Sequence, residues 1–171
     1  MSMAHRVQFN KLAMTHATLT HRLAARHARE RVDVGAAVGA SLAAGSVFLT
    51  LLVAFSVGLY DEPVWKVPQM IAATVGNAPA HFFEPSLLLV GVGLHFALAL
   101  LYGLAFAGLT TELRRTASLG IAFGVALYFV NLYGFTHLFP WFAELRTTDT
   151  LAAHALFGLL LVNLYRNLAE E

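Results

Sequence analysis

Apolar residues do not alternate along this chain; they run in long blocks. Four blocks are long enough to cross a bilayer: about Val34 to Tyr60, Ser86 to Leu109, Ser118 to Phe139 and Asp149 to Leu168. A membrane helix needs about 20 apolar residues, whereas a barrel strand is half that length and alternates polar with apolar. The blocks are continuous and rich in Leu, Ala and Gly, so the pattern predicts helices. The expected fold class is all-α: a polytopic membrane protein built as a four-transmembrane-helix bundle, residues 34–171, with an N-terminal amphipathic cytoplasmic arm, residues 1–33.

Small residues recur at helical spacing within the blocks. Gly35/Gly39 and Gly120/Gly124 are GxxxG pairs, and Ala40/Ala44 with Ser41/Gly45 extend a ridge on the first span. Such ridges let helix backbones approach closely. The expected use is packing inside the bundle, with docking of another subunit as the sharper alternative.

The segments outside the blocks differ from one another. In the arm, Leu12, Leu19 and Leu23 fall on one helical face, with Ala13 and Ala24 beside it and His16 intruding. Arg-rich helices of this kind lie on anionic lipid or dock on a partner. The arm lacks the apolar core and cleavage site of a signal peptide. The loop 61–85 carries Pro63, Pro68, Pro79 and Pro85. Between Pro68 and Gly76 it predicts two turns of helix covering the outer surface; a re-entrant element is the alternative.

Charge orients the bundle. Arg6, Lys11, Arg22, Arg26, Arg29 and Arg31 precede the first span, Arg114 and Arg115 join the second and third, and Arg166 ends the fourth. Only Lys66 and Arg146 fall on the other side. The positive-inside rule then puts both termini in the cytoplasm. Tyr60, Trp65, Phe139, Trp141 and Phe142 at the opposite ends, and Tyr165 near the inner end, fit an interfacial aromatic belt.

Composition narrows the chemistry. The chain has 171 residues, 58% hydrophobic and 12% charged, with net charge +1, which excludes an ordinary soluble enzyme and gives no field for nucleic acid. The absence of cysteine excludes disulfides, thiolate metal sites and thiol catalysis. No phosphate-binding loop, nucleophile elbow or HExxH is present. Thirteen phenylalanines are ordinary on lipid-facing helices. No carboxylate lies deep in a span, which argues against ion-coupled transport.

Eight histidines remain, and His5, His16, His21 and His27 of the arm read as solvated polar residues. His81 lies in the outer loop. His95 lies about 14 Å and His154 about 8 Å below the outer end at 1.5 Å per residue. His137 is close to that end, so three different spans bring an imidazole to the outer half, and His137 and His154 are expected to approach one another. Tyr102 lies two turns deeper than His95 on the same face, and Asn131 shares a face with Tyr128. His95, His154, His137, Tyr102 and Asn131 are therefore the candidate site. Interhelical hydrogen bonding is the plainest use for these groups. Imidazoles on facing helices could instead hold haem b or a metal ion, and a His or Tyr donor beside an apolar pocket suits a quinone.

The segments PVWKVPQMIAAT, LLVGVGLHFALALLYGLAF, NLYGFTHLFPWFAEL and AHALFGLLLVNLYR resemble a family of small bacterial four-span membrane proteins of uncharacterised function, over residues 63–166. The resemblance implies a bacterial inner-membrane location and stresses His95, Asn131, Pro140, Trp141, Glu144 and His154. The expected function is an accessory, non-catalytic integral membrane subunit of a larger inner-membrane complex, respiratory or electron-transfer in kind, with other membrane subunits as partners and no catalytic activity of its own. A haem-, metal- or quinone-binding membrane protein is the alternative, and a small permease comes third.

Overall fold

A computed structural model describes residues 32–76, 81–110 and 116–169 of the chain. Residues 1–31 of the expected amphipathic arm, with its four histidines, lie outside the described residues, as do Arg114 and Arg115. All that follows concerns the unit Asp33–Glu171.

The described residues are helical, without strands, and four helices are long and apolar enough to span a membrane. We number the helices α1 (Val34–Tyr60), α2 (Lys66–Gly76), α3 (Pro85–Leu109), α4 (Ala117–Phe129) and α5 (Thr148–Ala169). A π turn (Val130–Gly134) and a short 3-10 turn (Phe135–His137) prolong α4, and a second 3-10 segment (Pro140–Leu145) leads towards α5. The helix starts carry local chemistry. The Asp33 side chain accepts from the Ala36 N–H at 2.9 Å, and Thr116 caps α4 by accepting from Leu119. Pro85 occupies the first turn of α3, where its missing donor costs nothing.

Bilayer lipid gives helices no hydrophobic reason to associate, so close van der Waals packing and hydrogen bonds must hold the bundle. The glycines show where this occurs. A Cβ on Gly103 of α3 would fall on Ser41 Oγ of α1, and one on Gly45 of α1 would come 2.9 Å from Ala99 Cβ of α3. Ser41/Gly45 and Ala99/Gly103 thus interlock, each pair one turn apart. On the other side, a Cβ on Gly124 of α4 would meet the His154 carbonyl of α5, and one on Gly158 of α5 would meet the Gly120 carbonyl of α4. The Ser41/Gly45 and Gly120/Gly124 pairs are thus spent within the chain, whereas Gly35 at the start of α1 is exposed.

The backbones pack closely as α3 on α1, α1 on α5 and α5 on α4, with α2 against α3. Consecutive helices α3 and α4 have no comparable backbone contact. They meet through long side chains, as where the Phe106 and Phe123 rings sit 5.0 Å apart. The bundle is tight at three seams and propped open at the fourth.

Two segments differ from the sequence expectation. The loop helix α2 starts at Lys66, two residues earlier than expected, with the Pro63 and Trp65 carbonyls accepting from the Lys66 and Gln69 N–H groups. It is sunk between its neighbours rather than laid over them: Val67, Gln69, Met70, Ala72 and Ala73 are buried. Gly91, well inside α3, makes room for the Pro68 carbonyl. Gln69 is tied at both ends of its amide, donating to the Phe82 carbonyl (3.1 Å) and accepting from the Glu84 N–H (3.2 Å). The Trp141 indole donates to the Met70 carbonyl at 3.1 Å. Lys66 Nζ bonds Glu62 at 2.8 Å and pairs with Glu144 at 3.2 Å. The bond to Glu62 holds the Lys66 ammonium above the ordinary lysine range; burial opposes it, and the bond to Glu144 adds a smaller upward push.

The third span is not one straight α-helix to Phe139. Its α-helical part ends at Phe129 and widens into the π turn, with the Phe135 N–H on the Val130 carbonyl. Carbonyls freed by such a turn need other donors. Arg146 supplies one: its Nε donates to the Leu132 carbonyl at 2.8 Å, its Nη2 to Thr136 Oγ1, and its guanidinium lies 4.3 Å from the Tyr133 ring centroid. The aromatic run after this turn is only partly a belt. Phe142 is buried against Tyr128 and Leu132, and Tyr165 is buried with its hydroxyl accepting from the Asp33 N–H at 3.3 Å.

Gly158→Ala should lower the thermal midpoint of the detergent-solubilised protein by an amount matching roughly 1–3 kcal/mol, because α4 must move away. Gly93→Ala, where a Cβ meets nothing within 4 Å, should be neutral or stabilising. Equal effects at the two positions would refute the close-contact account.

Candidate functional site

The open seam encloses a cavity of about 340 Å³. Phe48 and Leu52 of α1, Val67 and Ile71 of α2, Leu94 and Leu98 of α3, Leu127 of α4 and Phe157 of α5 form much of its apolar wall. Phe135, Phe139 and Phe142 after the π turn close it further. No Asp, Glu, Lys or Arg is among the lining residues. The polar lining consists of His95 and Tyr102 on α3, Asn131 in the π turn, Thr150 and His154 on α5, and Thr74 on α2.

Four of the five sequence candidates meet here. The Tyr102 hydroxyl donates to Asn131 Oδ1 at 2.5 Å, and Asn131 Nδ2 donates to His154 Nε2 at 3.4 Å. His154 Nδ1 donates to the Thr150 carbonyl at 2.8 Å, which fixes its hydrogen on Nδ1 and leaves Nε2 to accept from Asn131. His95 Nε2 donates to the Gly45 carbonyl of α1 at 2.9 Å. One network thus joins α3, the π turn and α5, and a separate bond joins α3 to α1. His137, the fifth candidate, is exposed beyond the π turn and does not line the cavity, so the expected approach of His137 to His154 does not occur.

Asn131 enters the site from the π turn. It lies one turn beyond Leu127, on the face that lines the cavity, and Leu132 beside it lines the cavity too. Phe48 was not singled out from the sequence, yet its ring packs against both imidazoles, at 5.8 Å stacked on His95 and 4.6 Å edge-on to His154. Its signal was positional: Phe48 continues the stripe Ala37, Ser41, Ala44 on the buried side of α1. Arg146 was counted only as a charge, and the sequence carries no sign of its bond to Leu132.

Haem does not fit this arrangement. Both nitrogens of His154 are engaged, His95 has given Nε2 to Gly45, and the Phe48 ring packs against both imidazoles. A metal ion fares no better, since no group of three or more His, Asp or Glu able to hold one occurs among the described residues. A second, polar cavity of about 210 Å³ adjoins the first, lined by Tyr60, Glu62, Lys66, Glu144 and Asp149. The two share Leu52, Val67, Leu145 and Thr150 as walls. Comparison with protein-family models, curated proteins and solved structures finds no match to this chain.

The Tyr102–Asn131 bond should be measurable as a coupling. In a double-mutant cycle of Tyr102→Phe and Asn131→Leu, unfolding in detergent should give an interaction energy of about 0.6 kcal/mol and at most about 1.7. Strict additivity would mean that the two side chains do not meet.

Proposed function

We propose that this chain binds a small, flat, lipid-soluble ring molecule of the quinone class within its membrane bundle. The observation that carries this reading is the apolar cavity at the open α3–α4 seam, edged by His95, Tyr102, Asn131 and His154. Its volume of about 340 Å³ falls at the lower end of the range of small-molecule sites, roughly 300–1,000 Å³. Apolar walls with a few polar groups at one edge suit a ring bearing oxygens. A charged solute would find no counter-charge in the lining, which disfavours a permease for ions or polar metabolites.

The accessory-subunit reading drew on small-residue ridges as docking faces. The ridges at Ser41/Gly45 and Gly120/Gly124 are engaged by other helices of the same chain, which leaves only the exposed Gly35 end of the first span as a small-residue docking face. Ligand binding is therefore the preferred reading, and membership of a larger complex would come in addition to it. We take the chain to reside in a bacterial inner membrane with both termini cytoplasmic and its basic arm on anionic lipid, on the distribution of Lys and Arg.

Leu98→Trp should fill the cavity from α3 without removing a polar group. An organic extract of the purified wild-type protein should contain a quinone-class molecule by mass spectrometry, and the Leu98→Trp protein should lose it while staying folded. A wild-type extract empty of such molecules, with no binding of added short-chain benzoquinone or hydroquinone, would sink the proposal. The chain has no cysteine, so single cysteines report topology cleanly. In intact cells Asp61→Cys should react with an impermeant maleimide, and Glu171→Cys only after permeabilisation; the reverse pattern would invert the assigned orientation.

A further inference from the structure

We infer that the cavity selects the hydroxyl form of its ligand, a hydroquinone or phenol, through a hydrogen bond from the ligand O–H to Nδ1 of His95. The inference rests on the reading of the cavity as a quinone-class site and adds which member of that class it prefers.

The argument starts at Gly45. Its carbonyl oxygen can only accept, so His95 Nε2, 2.9 Å away, carries the hydrogen. In the neutral ring Nδ1 is then a bare acceptor. No hydrogen bond from the protein reaches Nδ1, and among the described residues no sealed side-chain nitrogen or oxygen lacks a partner. Nδ1 therefore lies open, on a residue only 5% exposed that lines the cavity. The tautomer cannot switch to suit a visitor. Moving the hydrogen to Nδ1 would set two lone pairs against each other at 2.9 Å in an apolar surround, with the full cost of an unpaired buried acceptor.

A quinone offers only carbonyl oxygens, and one brought to His95 would set lone pair against lone pair. A hydroxyl supplies the missing hydrogen. The other polar edge accepts a hydroxyl as well. Tyr102 has committed its hydrogen to Asn131, and one Asn131 N–H goes to His154. What remains there is the second N–H of Asn131 and the lone pairs of Tyr102, which a hydroxyl can meet either by accepting or by donating. A carbonyl suits only the first of these. Across both edges the dihydroxy ring is satisfied at more points than the dicarbonyl ring.

The test uses the full-length protein in detergent under argon, titrated calorimetrically with three probes: a decyl-substituted benzoquinone, its hydroquinone and the dimethyl ether of that hydroquinone. The hydroquinone should bind roughly tenfold more tightly than either of the others, the effect of about one hydrogen bond. His95→Phe should abolish the preference. His95→Gln, which keeps an N–H for Gly45 and an oxygen for the ligand, should retain it and guards against loss of folding in the first variant. Quinone or dimethyl ether binding as tightly as hydroquinone overturns the role given to His95 and leaves the ring site standing. No binding of any of the three probes overturns the proposed function together with this inference.

Discussion

Backbone contact at glycine is the constraint on which the rest of this bundle depends. In lipid, helices gain little by hiding apolar side chains from one another, so the seams that close are those where small residues let backbones touch. Gly103 against Ser41 and Gly45 against Ala99 draw α1 and α3 together, and Gly120, Gly124 and Gly158 do the same for α4 and α5; α1 also packs closely on α5. The seam between α3 and α4 has no such pairing across it and is spanned by Tyr102, Phe106 and Phe123 instead. The cavity follows from this asymmetry. Tight contacts elsewhere hold α3 and α4 apart, and α2 with the aromatic segment after the π turn covers the gap.

The polar groups that edge the cavity are fixed by backbone atoms. The Gly45 carbonyl sets the tautomer of His95, and the Thr150 carbonyl sets that of His154. Asn131 lies in a π turn whose Leu132 carbonyl accepts from Arg146 of the following segment and from Thr136. Irregular backbone at membrane depth is tolerated only where neighbouring protein groups satisfy it. Here the arginine is the neighbour, and the same residue stacks on Tyr133 and bonds Thr136. Local departure from helix, a buried histidine tautomer and a polar edge in an apolar cavity are thus connected through a few named bonds.

Much of this was readable before any coordinates. The four spans follow from block length, and the observed helices start and stop within a residue or so of the expected limits for the first, second and fourth. Four of the five candidate residues share one cavity, because depth along a helix can be counted at 1.5 Å per residue. His137 failed because it lies beyond the π turn, where depth no longer implies an inward direction. The burial of α2 was missed because its prolines and short length resemble any surface turn, and only Gly91 opposite it creates the space.

By itself the sequence determined what depends on local chemistry and on the lipid solvent: helical spans, their number, the small-residue ridges and the depth of each polar group. Only the tertiary structure decided which ridge meets which, that α3 and α4 stay apart, that Phe48 packs between the histidines and that Arg146 supports the π turn. Those outcomes depend on pairs of residues distant along the chain. A helical period specifies a face, whereas the occupant of the space opposite that face is set by how several helices pack at once.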